Sequence, residues 1–312
     1  MNVLITGGAG FIGSHLCDYL ITDHNVTALD NLSLGRKSNI EHLFHKENFK
    51  FIEADMNNSS MMDEVFAIGK FDRIYHLAAN SDIAQSHAKP SIDFKNTFLT
   101  TYNLLECMKN HNVKEIIFAS SSAIYGETQG PIDEDYGPLK PISHYGAAKL
   151  SSEGFITSFV KNYEMQAWIL RFPNVVGERT THGVIFDFIN KLRKDNTALE
   201  VLGDGEQYKP YLYVKDLVKA IILVSETTSE PVNIYNVGVN SRTKVRDIAK
   251  FVIRAMQLNS KIEYTGNTIG WVGDVPQFSY NLSKINKLGW KAQVTSDEAV
   301  QKSINYILQN KL

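Results

Sequence analysis

Cysteine is nearly absent from this chain of 312 residues: Cys17 and Cys107 are the only two. Both fall in apolar helical patterns. They read as buried thiols, which points away from a disulfide-stapled secreted scaffold. No apolar run reaches the roughly 18 residues that a membrane-spanning helix needs. An excess of one charge is missing too, since 32 Lys and Arg stand against 34 Asp and Glu. That leaves no electrostatic footprint for nucleic acid or an acidic polymer. The nine histidines show no metal-ligand spacing. His42 and His45 lie near each other without a Cys or acidic helix motif and read as surface residues, so no metal is expected. There is no internal repeat, no low-complexity stretch and no signal-peptide pattern before the first strand. These absences predict a soluble, cytoplasmic protein with one large α/β domain or a domain carrying a smaller lobe.

What is present begins at once. Asn2-Val3-Leu4-Ile5-Thr6 is a short apolar strand that runs into Gly7. Gly7, Gly10 and Gly13 have the spacing of a dinucleotide-binding turn: one for the tight turn, one for close approach to a pyrophosphate, one for helix packing. An amphipathic helix follows, with Phe11, Ile12, His15, Leu16, Tyr19 and Leu20 on its apolar side. Its N-terminus would offer free N–H groups and a positive dipole end to phosphates. The next strand, Val26-Thr27-Ala28-Leu29-Asp30, ends in a carboxylate. At that place Asp30 can accept from ribose hydroxyls and would repel a 2′-phosphate, which favours NAD over NADP. Arg36 and Lys37 beside it read as solvated loop charges.

Strands are expected at 2–6, 26–30, 49–53, 72–77, 114–120 and 166–170, with helices near 12–23, 59–67, 91–110 and 144–163. Such alternation implies right-handed βαβ units, and the continuous apolar strands imply a sheet covered on both faces. The fold class is therefore α/β: a Rossmann-type doubly wound parallel sheet with a smaller C-terminal substrate-binding lobe. Residues 1–172 form the NAD-binding domain, joined by a returning strand near 232–238; residues 173–312 are mainly the lobe.

At the end of the fifth strand the chain reads Phe118-Ala119-Ser120-Ser121-Ser122-Ala123-Ile124-Tyr125-Gly126. The carboxyl end of a central strand in an open parallel sheet faces the ligand crevice. Tyr145-Gly146-Ala147-Ala148-Lys149 follows, and residues four apart share one helix face. The same spacing recurs at Tyr136/Lys140, Tyr211/Lys215 and Tyr280/Lys284. Only Tyr145 follows the strand-end serines and opens a long helix. A free Tyr titrates near ~10; a neighbouring ammonium and a nicotinamide cation favour its phenolate. Tyr145 is then the base that takes a proton from a sugar hydroxyl as hydride leaves the same carbon. Ser121 directs that oxygen, and Lys149 also holds the nicotinamide ribose.

These residues resemble the extended short-chain dehydrogenase/reductase superfamily over nearly the whole chain. Within it they resemble the NAD-dependent epimerase/dehydratase family, nearest to nucleotide-sugar epimerases of the UDP-glucose (UDP-galactose) 4-epimerase type. Supporting strings are Gly7–Gly13, Asp30-Asn31-Leu32-Ser33-Leu34-Gly35, His76-Leu77-Ala78-Ala79, Asn96, Ser120–Gly126, Tyr145–Lys149, Arg171-Phe172-Pro173-Asn174, Gly203-Asp204-Gly205, Tyr211–Asp216 and Gly273-Asp274-Val275-Pro276. The resemblance implies NAD as cofactor, bound by the glycine turn with Phe11 and Ile12, by Asp30, Asn31, Leu32, Ser33 and Gly35, and by Phe172. It implies that Asp55 and Met56 flank the adenine and that Leu77, Ala78 and Ala79 line the cofactor. Asn96 would brace the cofactor side, and Tyr145 and Lys149 would contact it.

For the substrate, a nucleotide sugar, the resemblance implies Ser121 and Tyr145 at the sugar and Asn174 at the diphosphate. The backbone of Glu200, Val201 and Leu202 would receive the base, with Lys209 at a phosphate-contacting position. Ser81 and Trp271 depart from the residues common there. After the catalytic hydroxyl stand Ser122 and Ala123, where the 4,6-dehydratase branch has an Asp-Glu pair for removing water. The expected reaction is inversion at C4 through a 4-keto sugar, most directly of UDP-glucose and UDP-galactose. Other UDP sugars, net oxidation or reduction on the same scaffold, and a non-catalytic NAD sensor are the alternatives. Residues 175–183, with His182, form a candidate lid. Apolar residues on more than one face of 91–110 and 144–163 predict a homodimer, or else these helices pack inside a monomer.

Overall fold

Seven short strands alternate with helices through most of the chain because each strand is an apolar run bounded by turn residues. The computed structural model describes residues 1–81, 83–128, 130–266 and 277–310, with the side chains of 83–85 left aside. The strands Asn2–Thr6, Asn25–Asp30, Phe49–Glu53, Arg73–His76, Glu115–Ser121, Gln166–Phe172 and Val232–Asn236 form one parallel sheet. In space their order is 232–236, 166–172, 115–121, 73–76, 2–6, 25–30, 49–53. Val3 pairs with both Val26 and Arg73, and Arg73 pairs in turn with Glu115. The order reverses between 2–6 and 73–76, the switch point at which α/β sheets open a crevice beyond their carboxyl ends.

Contacts divide the chain into two units. The first comprises Met1–Ile124, His144–Arg171 and Val218–Tyr235. Its core packs Leu4, Ile74, Ile116 and Phe118 from the sheet against Met62, Phe66, Leu104, Met108, Ile156 and Phe159 from the helices. Trp168 pins a late strand in place: its indole Nε1 donates to Thr228 Oγ1 at 3.0 Å. Both cysteines are buried and outside any disulfide. The second unit comprises Tyr125–Ser143, Phe172–Leu217 and Asn236–Leu312. Its core gathers the apolar faces of helices Val184–Lys194, Val245–Ala255 and Ser296–Gln309 around the strand Ala198–Val201. The last helix starts from a capping box, Thr295 with Glu298, a reciprocal cap that satisfies two orphan donors.

Three details differ from the sequence reading. The helical run after Ser91 is not uniform: Ser91–Asp93 is α, Phe94–Leu99 is π and Thr100–Asn110 is α again. Val175 and Val176 are not loop; Asn174–Val176 is a strand paired with Tyr211–Tyr213. Segment 125–143 packs with the second unit rather than the first. Among the described residues, no helix is long and apolar enough to cross a membrane.

Candidate active site

The glycine turn behaves as its spacing requires. Gly7 has φ +69°, and a Cβ there would come within 2.9 Å of the Ala78 amide nitrogen. A Cβ on Gly13 would collide with the carbonyl of Gly7. The helix Phe11–Leu20 starts from Gly10 with no side-chain cap on its first amides, so those N–H groups and the dipole are available to an anion. Phe11 and Ile12 are half-buried in this first turn and Gly13 is buried.

Asp30 ends its strand with a carboxylate only 7% exposed. Oδ2 accepts the Ala9 amide at 3.1 Å and Oδ1 the Leu32 amide at 2.8 Å. Burial pushes this carboxyl above its ordinary value, against the pull of the Leu32, Ala9 and Gly10 amides. Gly35 lies so close that a Cβ would stand 2.7 Å from the Asp30 oxygens. Asn31 and Ser33 are exposed, while Leu32 holds a left-handed φ of 59°. Glycine turn, bare helix start and strand-end carboxylate together suit a dinucleotide: an anionic diphosphate at the amides and ribose hydroxyls at Asp30. Asp55 is exposed and folds back on the Asn57 amide at 2.8 Å, and Met56 is buried. Leu77, Ala78 and Ala79 are half-buried beyond the fourth strand. Phe172 is buried at the end of its strand.

Asn96 is exposed, and its neighbour Thr97 is fully buried. Thr97 Oγ1 accepts the Asn80 amide at 3.1 Å.

Ser121, Tyr145 and Lys149 do meet. The long helix His144–Tyr163 opens beside the end of strand Glu115–Ser121. The Ser121 hydroxyl is hydrogen-bonded to the Tyr145 phenol. Tyr145 keeps part of its surface open, yet burial around its hydroxyl pushes the phenol up to about 12, opposed by Ser121 and aided by Asp93. Lys149 is 2% exposed. Its Nζ donates to the Ala119 carbonyl at 2.7 Å and lies 4.7 Å from the Phe118 ring centroid and 5.8 Å from that of Tyr145. Burial pushes this amine down to about 7, against the pull of Glu153 and Asp93. A phenol, a hydroxyl that can direct an oxygen and a buried cation on adjacent turns can hold and pass one proton at a substrate oxygen.

Two members of this cluster lay outside the sequence reading. Glu153 stands one turn beyond Lys149 and pairs with Arg171. Its signal was available, because Tyr145, Lys149 and Glu153 repeat every fourth position and share one face. Asp93 carried no such signal.

In the second unit, Asn174 is exposed at the start of its strand, and Lys209 is half-buried. Glu200 is exposed, Val201 fully buried and Leu202 46% exposed, so these three could offer a ligand backbone and the Leu202 side chain. In the first unit Ser81 is exposed. Trp271 and Gly273–Pro276 lie outside the described residues.

Comparison with known proteins identifies the family. The family model for the NAD dependent epimerase/dehydratase family matches residues 3–238. A crystal structure of a UDP-galactose 4-epimerase is 35% identical, with a TM-score of 0.89 and 100% of each chain covered. The UDP-glucose 4-epimerase of Thermotoga maritima, solved with UDP-glucose, is 31% identical with a TM-score of 0.89, again over 100% of each chain. The dTDP-D-glucose 4,6-dehydratase of Mus musculus is 30% identical, over 99% of this chain and 89% of that one. The chain therefore belongs to the NAD dependent epimerase/dehydratase family.

Proposed function

We propose that this protein is a nucleotide-sugar 4-epimerase whose substrate pair is UDP-glucose and UDP-galactose. The observation that carries this reading is the hydrogen-bonded Ser121–Tyr145 pair with Lys149 one turn further on the same helix. NAD would be held by the Gly7–Gly13 turn, by Asp30 and by Lys149; when bound, it accepts a hydride from the sugar carbon and returns it. Tyr145 takes the proton of the 4-hydroxyl and gives it back on the other face. Ser121 fixes the direction of that oxygen. The Lys149 ammonium favours the phenolate across 5.8 Å in a site where burial alone favours the phenol.

Two of the compared structures are named as UDP-hexose 4-epimerases, which supports this substrate pair. The mouse relative is a dehydratase, so water elimination is the second reading. Ser122 and Ala123 count against it, because neither side chain is an acid–base pair for removing water. We also infer a homodimer. Phe94 and Phe155 are 55% and 40% exposed, and their rings continue through Phe98 and Tyr102 as an apolar face that a second copy would cover.

The test is to incubate the purified protein with UDP-galactose, without added cofactor, and to follow the sugar by NMR and reduced nicotinamide by absorbance. Interconversion without accumulation of reduced cofactor is expected, and Tyr145→Phe should slow it by about 10³-fold or more. Absence of turnover even with added NAD would sink the UDP-hexose assignment. Stoichiometric reduced cofactor would make the protein a dehydrogenase instead.

A further inference from the structure

Asp93 is a carboxylate that none of these roles uses. It closes the short turn Ser91–Asp93, immediately before the π-helical run Phe94–Leu99, and it is 1% exposed. Its Oδ1 accepts from Asn80 Nδ2 at 2.8 Å. Asn80 is itself fixed, donating to Ser86 Oγ at 2.9 Å and through its amide to Thr97 Oγ1 at 3.1 Å. The other oxygen, Oδ2, is buried without a hydrogen-bond partner among the described residues. A buried carboxylate with an open oxygen is costly unless a charge of opposite sign stabilises it. The turn packs directly against the helix His144–Tyr163, the element that carries both Tyr145 and Lys149.

We propose that Asp93 is a positioning residue: its buried carboxylate is a second fixed negative charge that, with Glu153, keeps the Lys149 amine protonated in the site. This rests on the reading of Tyr145 and Lys149 as the acting pair. Glu153 acts on Lys149 from the same helix and is the stronger of the two carboxylates, its oxygens held by the Arg171 guanidinium; Asp93 adds a second negative charge from a separate element. Among the described residues, the other titratable groups near Lys149 are Tyr145 on its own helix and His76 on the strand Arg73–His76, and burial keeps His76 neutral. His87 and Lys95, on the segments flanking Asp93, are exposed and screened by water. The same negative charge opposes ionisation of Tyr145. Asp93 therefore holds the pair in the form with a cationic amine and a neutral phenol, from which a bound cation near the ring can release the phenolate. The π-helical turn that follows is the kind of helix irregularity found at functional sites, and Asp93 and Thr97 are both buried.

The test uses the isolated, full-length protein labelled with nitrogen-15 in its lysines. The Lys149 amine is followed by NMR against pH and assigned by its loss in Lys149→Met. Asp93→Asn keeps the side-chain shape and removes the charge; Asp93→Ala removes charge and hydrogen bond together. Both variants should lower the Lys149 midpoint by about one pH unit, leaving the amine mostly neutral near neutral pH. The alkaline limb of the rate profile with UDP-galactose should move down with it. A midpoint that is unchanged or raised in both variants overturns the proposal, since a purely structural role would lower stability and leave the titration in place. A lowered midpoint in a protein that does not epimerise UDP-galactose upholds Asp93 as the counter-charge and overturns the 4-epimerase reading separately.

Discussion

Arg171 and Glu153 meet as a fork, Nε donating to Oε1 at 3.0 Å and Nη2 to Oε2 at 2.7 Å, with side chains 5% and 6% exposed. Ser120 donates to the same Oε1. The pair ties the helix that carries Tyr145 to the strand Gln166–Phe172, while Ser120 ties it to the strand that carries Ser121. Attraction within such a pair is largely offset by desolvation, but removing one partner strands a buried charge. Glu153→Gln should therefore lower stability by about 3–5 kcal/mol in urea unfolding. The double replacement Glu153→Leu with Arg171→Met should cost less than the sum of the single changes, by about 1–3 kcal/mol. Additive single and double effects would mean that the two groups are not energetically coupled.

His76 makes the protein acid-sensitive in a defined window. The ring is fully buried, with Nδ1 2.7 Å from Thr6 Oγ1 and Nε2 3.0 Å from Thr101 Oγ1. Burial, aided by the Lys149 charge, pushes its pKa down to about 3. The unfolded chain takes up that proton near pH ~6.5, so between the two values it binds more protons than the folded one. Stability contributed by the neutral ring is complete above about pH 6.5 and lost progressively toward pH 3, by about 4–5 kcal/mol in all. His76→Gln should flatten this part of the curve. Urea unfolding near about pH 4 and about pH 7 checks it: an equal loss in wild type and variant would assign the acid sensitivity to other groups.

The aromatic face tests the dimer. Phe94, Phe98, Phe155, Tyr102, Phe159 and Tyr163 form an unbroken series of ring contacts. Placing carboxylates at its exposed end, Phe94→Glu with Phe155→Glu, should halve the mass seen in sedimentation and leave the far-ultraviolet spectrum unchanged, because neither ring is buried within the chain. A wild-type protein that sediments as a monomer would remove the homodimer from the reading.

The sheet was legible because its strands are apolar runs and each ends in a recognisable turn: Gly7 after the first, Asp30 at the end of the second, the serines after the fifth. Tyr145 could be separated from three other Tyr-x-x-x-Lys pairs because only it opens a long helix after those serines. Val232–Asn236 was legible as a returning strand for the same reason, its apolar alternation. The π turn was not legible, because nothing in the residues Phe94–Leu99 announces one. Asp93 follows Pro90 in a first helical turn, where an acidic residue ordinarily answers the helix dipole in solvent; its burial comes from packing against a helix that starts some fifty residues later. In the second unit, pairings such as Pro131–Ile132 with Ser279–Tyr280 join short segments distant in sequence, with no pattern long enough to read.

The position of Val232–Asn236 at the edge of the sheet, beside Gln166–Phe172, has a consequence for biogenesis. During synthesis the stretch from Pro173 to Pro231 must leave the ribosome before this edge can be covered. Until then the nascent chain carries six strands and an open, strongly apolar border at Ala167–Leu170, a template for pairing with other chains. Truncation anywhere before Val232 should therefore yield aggregates rather than an isolated dinucleotide-binding unit, and an expression fragment of the first unit must carry 218–235 to remain in solution.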